Sequence, residues 1–396
     1  MSNLGYLPFD CDNHYYEAHD AFTRYVPKNM QHRCVQWVEM DGHKHHLVGG
    51  KLSHAVKNPT WDPIAKPGAI AEYLRGNPKK LKPQELMTER EPLPLEYINR
   101  EARIAKIKEQ GIDGMWLFPT LGVLYEEGLK NDTAAVKTQF RAFNRWLDED
   151  WGLNYKDKIF SAAYITLCDV HFAIEELEWA LSRGAKVLVM RPSAIWTEKD
   201  GVVSPSNAMF DPFWARLNEA GIPMVIHAGD SGYTTHGYVP DGFSSGVISD
   251  MRPSIKHNNI ERAAYDFLST LLYEKLFERF PNLRIASIEN GAEFLPDLVR
   301  KMSQTRDRME TSGYYKEDPI ELFKNHVWIN PFWEDDVYEV EDIMGANRVI
   351  FGSDWPHIEG MVNPLDYVDE LSRFDRIKKK KILRDNALEL NIAQPF

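Results

Sequence analysis

The chain has 396 residues, of which 43% are hydrophobic and 27% are charged, and its formal net charge is −12. This length allows one large domain with a substantial core, and the acidic balance argues against nucleic acid or an anionic membrane as the main partner. The three cysteines show no metal-ligand spacing and no paired framework, which is typical of a reducing compartment. Since no apolar run reaches membrane-spanning length and no signal peptide is visible, we expect a cytoplasmic protein that acts on a small molecule.

Strand-like and helical segments alternate along the chain after residue 93. Short apolar runs predict strands, and segments with an apolar residue at every third or fourth position predict helices. The first predicted strand is YLPFDCDNH, and the later ones cover 114–119, 158–166, 186–193, 222–229, 282–290, 326–332 and 348–355. The predicted helices cover 93–110, 133–150, 170–183, 211–221, 258–280, 292–309 and a short stretch near 335–344, with two more at the end of the chain.

Eight strands, mostly followed by helices, indicate an α/β protein with a parallel sheet. This count favours a closed (β/α)8 TIM barrel over an open doubly wound sheet. The open sheet is disfavoured further because no glycine-rich phosphate-binding loop follows the first strand. We therefore predict a single TIM-barrel domain over residues 1–396.

Residues 18–92 interrupt the alternation and are predicted to be an insertion after the first strand. Within it, two half-apolar runs joined by Asp41-Gly42 predict a β-hairpin. A long insertion at the catalytic end of a barrel is typical of a lid or of a contact between subunits. We expect the protein to form a homo-oligomer.

Four side chains at strand ends point to a metal site. Asp12 and His14 are two residues apart, so both side chains face the same side of a strand. His227 and Asp354 lie near the ends of the fifth and eighth predicted strands. Because the carboxyl ends of barrel strands open on one face, all four should meet at one mouth. Two imidazoles and two carboxylates suit one divalent ion, with Zn²⁺ expected and Mn²⁺ or Fe²⁺ as alternatives.

The chain resembles the amidohydrolase superfamily, in particular the branch that includes aminocarboxymuconate-semialdehyde decarboxylase and similar ring-acid enzymes. The resemblance rests on Asp12-Asn13-His14, on His227 and on the run GSDWPH at 352–357, and it covers the chain outside 18–92. Binuclear members carry a carboxylated lysine at the end of strand 4, where this chain has Arg191. The resemblance therefore implies a single metal ion.

The resemblance also implies roles for further residues. Asp354 would be both a metal ligand and a proton shuttle, and His227 would share in the catalytic work. The decarboxylases of the family usually have a histidine at the end of strand 6, where Glu289 is the nearest equivalent here. Glu289 would be a general base, a further metal ligand or only the cap of the following helix.

Four residues near the strand ends are candidates for substrate contacts. Arg191 could bind a substrate carboxylate through two hydrogen bonds, with an ion pair to a neighbouring acid as the alternative. His236 lies in a glycine-rich loop after strand 5 that is typical of a binding loop. Trp355 and His357 follow Asp354, and His357 could instead support the metal from behind.

The leading hypothesis is a metal-dependent hydrolase that attacks a small organic acid or ring-derived substrate with metal-activated water. The alternative is a non-oxidative decarboxylase or hydratase that uses the same metal. A barrel that has lost catalysis and serves as a binding subunit is a third possibility, against which the intact ligand positions argue.

Overall fold

The computed structural model describes residues 4–56, 58–233, 259–332 and 335–395. Fifteen strands, β1 to β15, occur in this part of the chain. In chain order they are Phe9–Tyr15, Val35–Met40, His43–Val48, Lys51–Leu52, Ile64–Ala65, Arg90–Glu91, Gly114–Pro119, Ile159–Ser161, Ala163–Tyr164, Leu188–Met190, Ile195–Thr197, Gly201–Val203, Met224–His227, Ile285–Ile288 and Val327–Ile329.

The same part of the chain contains fifteen α-helices. They are Ala71–Leu74, Pro83–Leu86, Arg100–Gln110, Gly122–Leu129, Thr133–Asp150, Val170–Ser182, Asp211–Ala220, Asn259–Tyr273, Leu276–Arg279, Leu295–Met309, Pro319–His326, Val337–Met344, Tyr367–Glu370, Arg376–Lys380 and Asn386–Leu390. Within the described residues, no helix is both long enough and apolar enough to cross a membrane.

Eight parallel segments close into a ring. Strands β1, β7 and β8 form one run, and β9, β10, β13, β14 and β15 form the other. Because only Ala162 separates β8 from β9 along the chain, these two strands join the two runs. On the opposite side, the segment 349–355 bridges β15 through Val349 and β1 through Trp355. This closure confirms the predicted TIM barrel, and it brings the carboxyl ends of all eight segments to one mouth.

The predicted helices are present, with shifts at their ends. Helix Thr133–Asp150 has the predicted bounds, and the Asp132 side chain caps it by accepting from the Ala135 N–H. Helix Arg100–Gln110 begins seven residues after its predicted start, because Asn99 provides the N-cap. Gly111 ends this helix in the left-handed conformation, with φ of 74°.

Helix Gly122–Leu129 is not predicted by the sequence periodicity. It is only eight residues long and has a glycine at its first position. A Cβ atom on Gly122 would lie 2.8 Å from side-chain atoms of Phe143 and of Pro119, so the close packing of this helix against its neighbours requires glycine. The helix follows β7 directly, and it therefore starts at the barrel mouth.

The segment 18–92 contains the predicted hairpin, formed by antiparallel strands β2 and β3. The hairpin packs on the barrel through His46, which is only 3% exposed. Its Nδ1 lies 2.7 Å from the Tyr125 hydroxyl on helix Gly122–Leu129. The same segment also contacts the chain after the eighth barrel segment, because the Gly68 N–H donates to the His357 carbonyl oxygen at 3.1 Å. Its role as a lid or a subunit contact stays a prediction.

Candidate metal centre at the barrel mouth

Strand β1 places two donor groups on one face. Asp12 Oδ1 lies 3.2 Å from His14 Nε2, and both side chains are buried. This agrees with the two-residue spacing from which the pair was predicted. The pair is supported by Asp10, whose carboxylate accepts hydrogen bonds from the Asp12 N–H at 3.1 Å and from the Ser353 hydroxyl at 2.6 Å. Asp10 therefore joins β1 to the eighth barrel segment directly beneath the site.

His227 and Asp354 converge on the same point from β13 and from the eighth segment. His227 Nε2 lies 3.4 Å from Asp12 Oδ1, and Asp354 Oδ1 lies 3.3 Å from His14 Nε2. The backbone of Asp354 has φ of 54°, an unfavourable conformation for a residue with a side chain.

Glu289 completes the group from the end of β14. Its Oε2 lies 3.5 Å from His14 Nε2 and 3.3 Å from His227 Nε2. Its φ of 57° is also in the left-handed region. The structure does not support the helix-cap alternative, because the next helix begins only at Leu295. Glu289 instead faces the two imidazoles that were predicted as metal ligands.

The imidazoles are oriented by contacts to their other ring nitrogens. His14 Nδ1 lies 3.2 Å from the Pro119 carbonyl oxygen, and His227 Nδ1 lies 3.0 Å from the Ala228 carbonyl oxygen. These contacts require a proton on Nδ1, so in the neutral imidazole the lone pair of Nε2 faces the centre. The His357 ring has the opposite orientation, with Nδ1 and not Nε2 toward the centre. Its Nε2 lies 3.0 Å from Thr120 Oγ1, and its Nδ1 lies 2.6 Å from Asp354 Oδ1.

The donor atoms fit a divalent ion. Metal–ligand bonds of about 2.0–2.2 Å place neighbouring donor atoms about 3 Å apart around an ion, and the separations above are 3.2–3.5 Å. Several of these buried atoms have no hydrogen-bond partner in the described structure: Asp12 Oδ1 and Oδ2, His14 Nε2, His227 Nε2 and Asp354 Oδ2. Buried polar atoms without partners are costly unless an ion or a ligand satisfies them.

Burial and mutual charge perturb the titration of these groups. Burial opposes the charged form of His14, but the carboxylates of Asp12 and Glu289 outweigh it and raise the pKa of His14 to about 10. Burial also opposes ionisation of Asp12, yet His14 and His227 lower the pKa of that carboxyl. Burial, and then the negative charge of Glu289, raise the pKa of Asp354 well above its usual value. The pKa values of the two carboxyl groups are therefore shifted in opposite directions, that of Asp12 downward and that of Asp354 upward.

The structure gives Arg191 two acidic partners. Its Nη1 lies 2.6 Å from Glu127 Oε2, and its Nε lies 3.3 Å from Glu126 Oε2. The guanidinium is 4% exposed, and Nη1 also donates to the Asp230 carbonyl oxygen at 2.6 Å. The ion-pair alternative is therefore present, with both acids on helix Gly122–Leu129. Contact with a substrate stays a prediction.

The other predicted substrate contacts have different outcomes. His357 lies in the site, with its ring centroid 3.9 Å from that of His14. Trp355 is 2% exposed, and its ring packs against Tyr97 and under the Arg103 guanidinium, so these neighbours account for its burial. His236 lies outside the described residues. Substrate contact by all three stays a prediction.

Two supporting residues were not predicted from the sequence. Asp10, Asp12 and His14 are each two residues apart along β1, so this spacing alone would have placed Asp10 on the same face of the strand. Thr120 gives no such signal, because its contact with His357 joins residues that are 237 positions apart. Only the closed barrel brings that pair together.

Comparison with known proteins identifies related chains. The amidohydrolase family model matches residues 10–390. An amidohydrolase from Mycobacterium avium subsp. paratuberculosis K-10 has 37% sequence identity and a TM-score of 0.90, over 98% of this chain and 99% of that chain. A dihydroxybenzoic acid decarboxylase from Polaromonas sp. JS666, with bound manganese and the inhibitor 2-nitroresorcinol, has the same fold at 15% identity, with a TM-score of 0.63 over 98% and 97% of the two chains.

A curated relative is also similar over part of its sequence. It is the 2-amino-3-carboxymuconate-6-semialdehyde decarboxylase of Dictyostelium discoideum, with 24% identity over 133 residues, or 31% of this chain. The match covers 34% of that relative, so it spans about a third of its length.

Proposed function

Because this chain belongs to the amidohydrolase family, we propose that it is a metal-dependent carboxy-lyase that removes carbon dioxide from a small aromatic or unsaturated carboxylic acid. The observation that carries this proposal is the position of Asp354, whose buried carboxyl group has Oδ1 at 3.3 Å from His14 Nε2 and at 2.6 Å from His357 Nδ1. The names of the curated relative and of several structural neighbours support the lyase over the hydrolase that the sequence favoured.

Asp12, His14, His227 and Asp354 would hold the ion, with Glu289 as a further donor. When bound, the ion would polarise a substrate oxygen next to the reacting carbon. Carboxylate oxygens suit Mn²⁺, and imidazoles suit Zn²⁺ and Fe²⁺ as well. The donor group is therefore compatible with each of these ions, and manganese in three of the neighbouring decarboxylase structures makes Mn²⁺ the first ion to test.

The protein's own residues would handle the proton. Breaking the bond between the ring and the carboxylate leaves its electron pair on the carbon, and that carbon must then take up a proton. Asp354 would deliver this proton. His357 Nδ1 faces Asp354 at 2.6 Å, and His357 Nε2 is held by Thr120. The imidazole therefore orients the Asp354 carboxyl group, and the proton that Asp354 gives up in each turnover would be replaced from solvent.

Hydrolysis is the second candidate, because the Mycobacterium relative is named an amidohydrolase. The same ion could activate a water molecule, and Asp354 could then take a proton from it. The two reactions differ in their products, since decarboxylation releases carbon dioxide and hydrolysis incorporates an oxygen atom from water.

The test uses the full-length protein loaded separately with Mn²⁺ and Zn²⁺. A panel of 2-hydroxybenzoates and muconate-type acids is assayed for carbon dioxide release, and a panel of esters and amides for ¹⁸O uptake from labelled water. We expect metal-dependent carbon dioxide release, which Asp354→Asn lowers about 10²–10⁴-fold and the exposed-site control Asp336→Asn leaves unchanged. Incorporation of ¹⁸O without carbon dioxide release would overturn the lyase proposal in favour of hydrolysis.

A further inference from the structure

Glu17 is a buried carboxylate just beyond the strand that carries Asp12 and His14. It is 4% exposed. Its Oε1 accepts hydrogen bonds from the backbone N–H groups of Leu121 at 2.7 Å and Gly122 at 3.0 Å. Its Oε2 is buried and has no hydrogen-bond partner in the described structure. Burying a carboxylate with one oxygen unsatisfied costs free energy, so its position requires an explanation.

The two N–H groups belong to a turn that contacts the metal centre. This turn, residues 119–122, joins β7 to helix Gly122–Leu129. The Pro119 carbonyl oxygen accepts from His14 Nδ1 at 3.2 Å. The Thr120 hydroxyl donates to the Tyr15 carbonyl oxygen at 2.7 Å and is therefore free to accept from His357 Nε2 at 3.0 Å. In the 119–122 turn, Pro119 thus contacts His14 and Thr120 contacts His357. The last two residues of the turn both donate to Glu17.

Glu17 also differs from an ordinary helix cap. Asp336 accepts from two backbone N–H groups at the start of another eight-residue helix, Val337–Met344. That carboxylate is exposed to solvent, as caps usually are. Glu17 instead crosses from the end of β1 to the end of β7 inside the mouth, and it links the two strand ends that hold His14.

We propose that Glu17 is a positioning residue for the metal centre: it holds the 119–122 turn in place, and the turn in turn orients the imidazoles of His14 and His357. This inference rests on the proposed metal-dependent function. Groups that orient metal ligands from behind typically contribute a factor of about 10–100 in metal affinity or activity. Glu17 acts one step further out, through the backbone of the turn.

The test is Mn²⁺ affinity of the full chain, measured from free Mn²⁺ by electron paramagnetic resonance. We expect Glu17→Ala to weaken binding about 10–100-fold. Glu17→Gln should stay within about threefold of the wild type, because its amide oxygen can accept both N–H groups. Asp336→Ala is the matched control, since it removes a two-bond cap from a helix of the same length and should leave Mn²⁺ affinity unchanged while lowering the melting temperature.

A double variant tests the route through the turn. Thr120→Val removes the hydroxyl that holds His357. If Glu17 acts through the turn, the combined loss for Glu17→Ala with Thr120→Val is smaller than the product of the two single losses. Losses that multiply fully would overturn the proposed route.

Three results would overturn the proposed role of Glu17 or the proposed function. Wild-type affinity in Glu17→Ala overturns the proposal, and so does a Glu17→Gln variant as weak as Glu17→Ala, because charge and not positioning would then matter. If Glu17→Ala does not fold, Glu17→Asp takes its place, since its shorter side chain cannot span the same distance, and it must bind more weakly than Glu17→Gln. A wild-type protein that binds neither Mn²⁺ nor Zn²⁺ would refute the proposed function itself.

Discussion

Binding of Mn²⁺ should displace a proton from His14, so the affinity for the metal should rise with pH. In the metal-free protein, burial opposes the charged imidazole, but Asp12 and Glu289 outweigh it and raise the pKa of His14 to about 10. Nδ1 is committed to the Pro119 carbonyl oxygen at 3.2 Å, so the titrating proton is on Nε2. An ion needs the lone pair of that same atom, and metal and proton therefore compete for it.

The size of the effect follows from the pKa. A pH of 7 lies about three units below the pKa of His14, so the protonated imidazole is favoured about 1,000-fold over the neutral one. This ratio corresponds to a free energy of about 4 kcal/mol. Since the raised pKa favours the charged form at every pH below about 10, binding is weakest at low pH. Affinity should increase about tenfold per pH unit between pH 6.5 and 8.5 and level off only near pH 10.

Isothermal titration calorimetry in two buffers of different ionisation enthalpy measures both the affinity and the proton release. We expect at least one proton released per Mn²⁺ ion at pH 7.5. His326→Gln is the control, because His326 is a buried histidine that meets the Leu283 carbonyl oxygen away from the site and should leave the slope unchanged. An affinity that does not vary between pH 6.5 and 8.5, without proton release, would refute the assignment of His14 as a ligand.

Three further predictions concern other parts of the structure. Asp354→Asn should lower the rate of the chemical step about 10²–10⁴-fold without unfolding the protein, as single-turnover kinetics and circular dichroism can check; a wild-type rate would contradict its role. Arg191→Met should destabilise the fold by about 3–5 kcal/mol in urea unfolding, because it leaves the buried carboxylate of Glu126 without its cation and removes one cation from Glu127, which keeps its ion pair with Lys130; a raised KM with unchanged stability would instead favour the substrate contact. Burial lowers the pKa of His46 to about 3, so the folded state resists protonation of this imidazole. The free energy of unfolding should therefore fall as the pH drops from 6.5 toward 3, by about 2 kcal/mol at pH 5. His46→Gln should remove most of this pH dependence, which urea unfolding at several pH values can check.

The four residues proposed as metal ligands could be singled out from the sequence because their signals are local. Asp12 and His14 share a face through the two-residue repeat of a strand, and His227 and Asp354 each end an apolar run. Parallel strands in a barrel bring such ends together whatever the loops contain. Periodicity, strand count and one resemblance were therefore enough to predict the fold and to propose these four residues as ligands.

The remaining features depended on which distant residues the closed barrel brings together. Glu289 was open to three interpretations until its distances to His14 and His227 placed it among the donor atoms. Arg191 forms ion pairs with two acids on helix Gly122–Leu129, which the sequence periodicity did not predict because the helix is short and contains two glycines. Thr120 and Glu17 gained their roles only through the 119–122 turn. The chemistry of a side chain and the face of the strand on which it lies follow from the local sequence. Its contact partners are more than a hundred residues away along the chain in several of these cases. Only the closed barrel of the tertiary structure determines which of them meet.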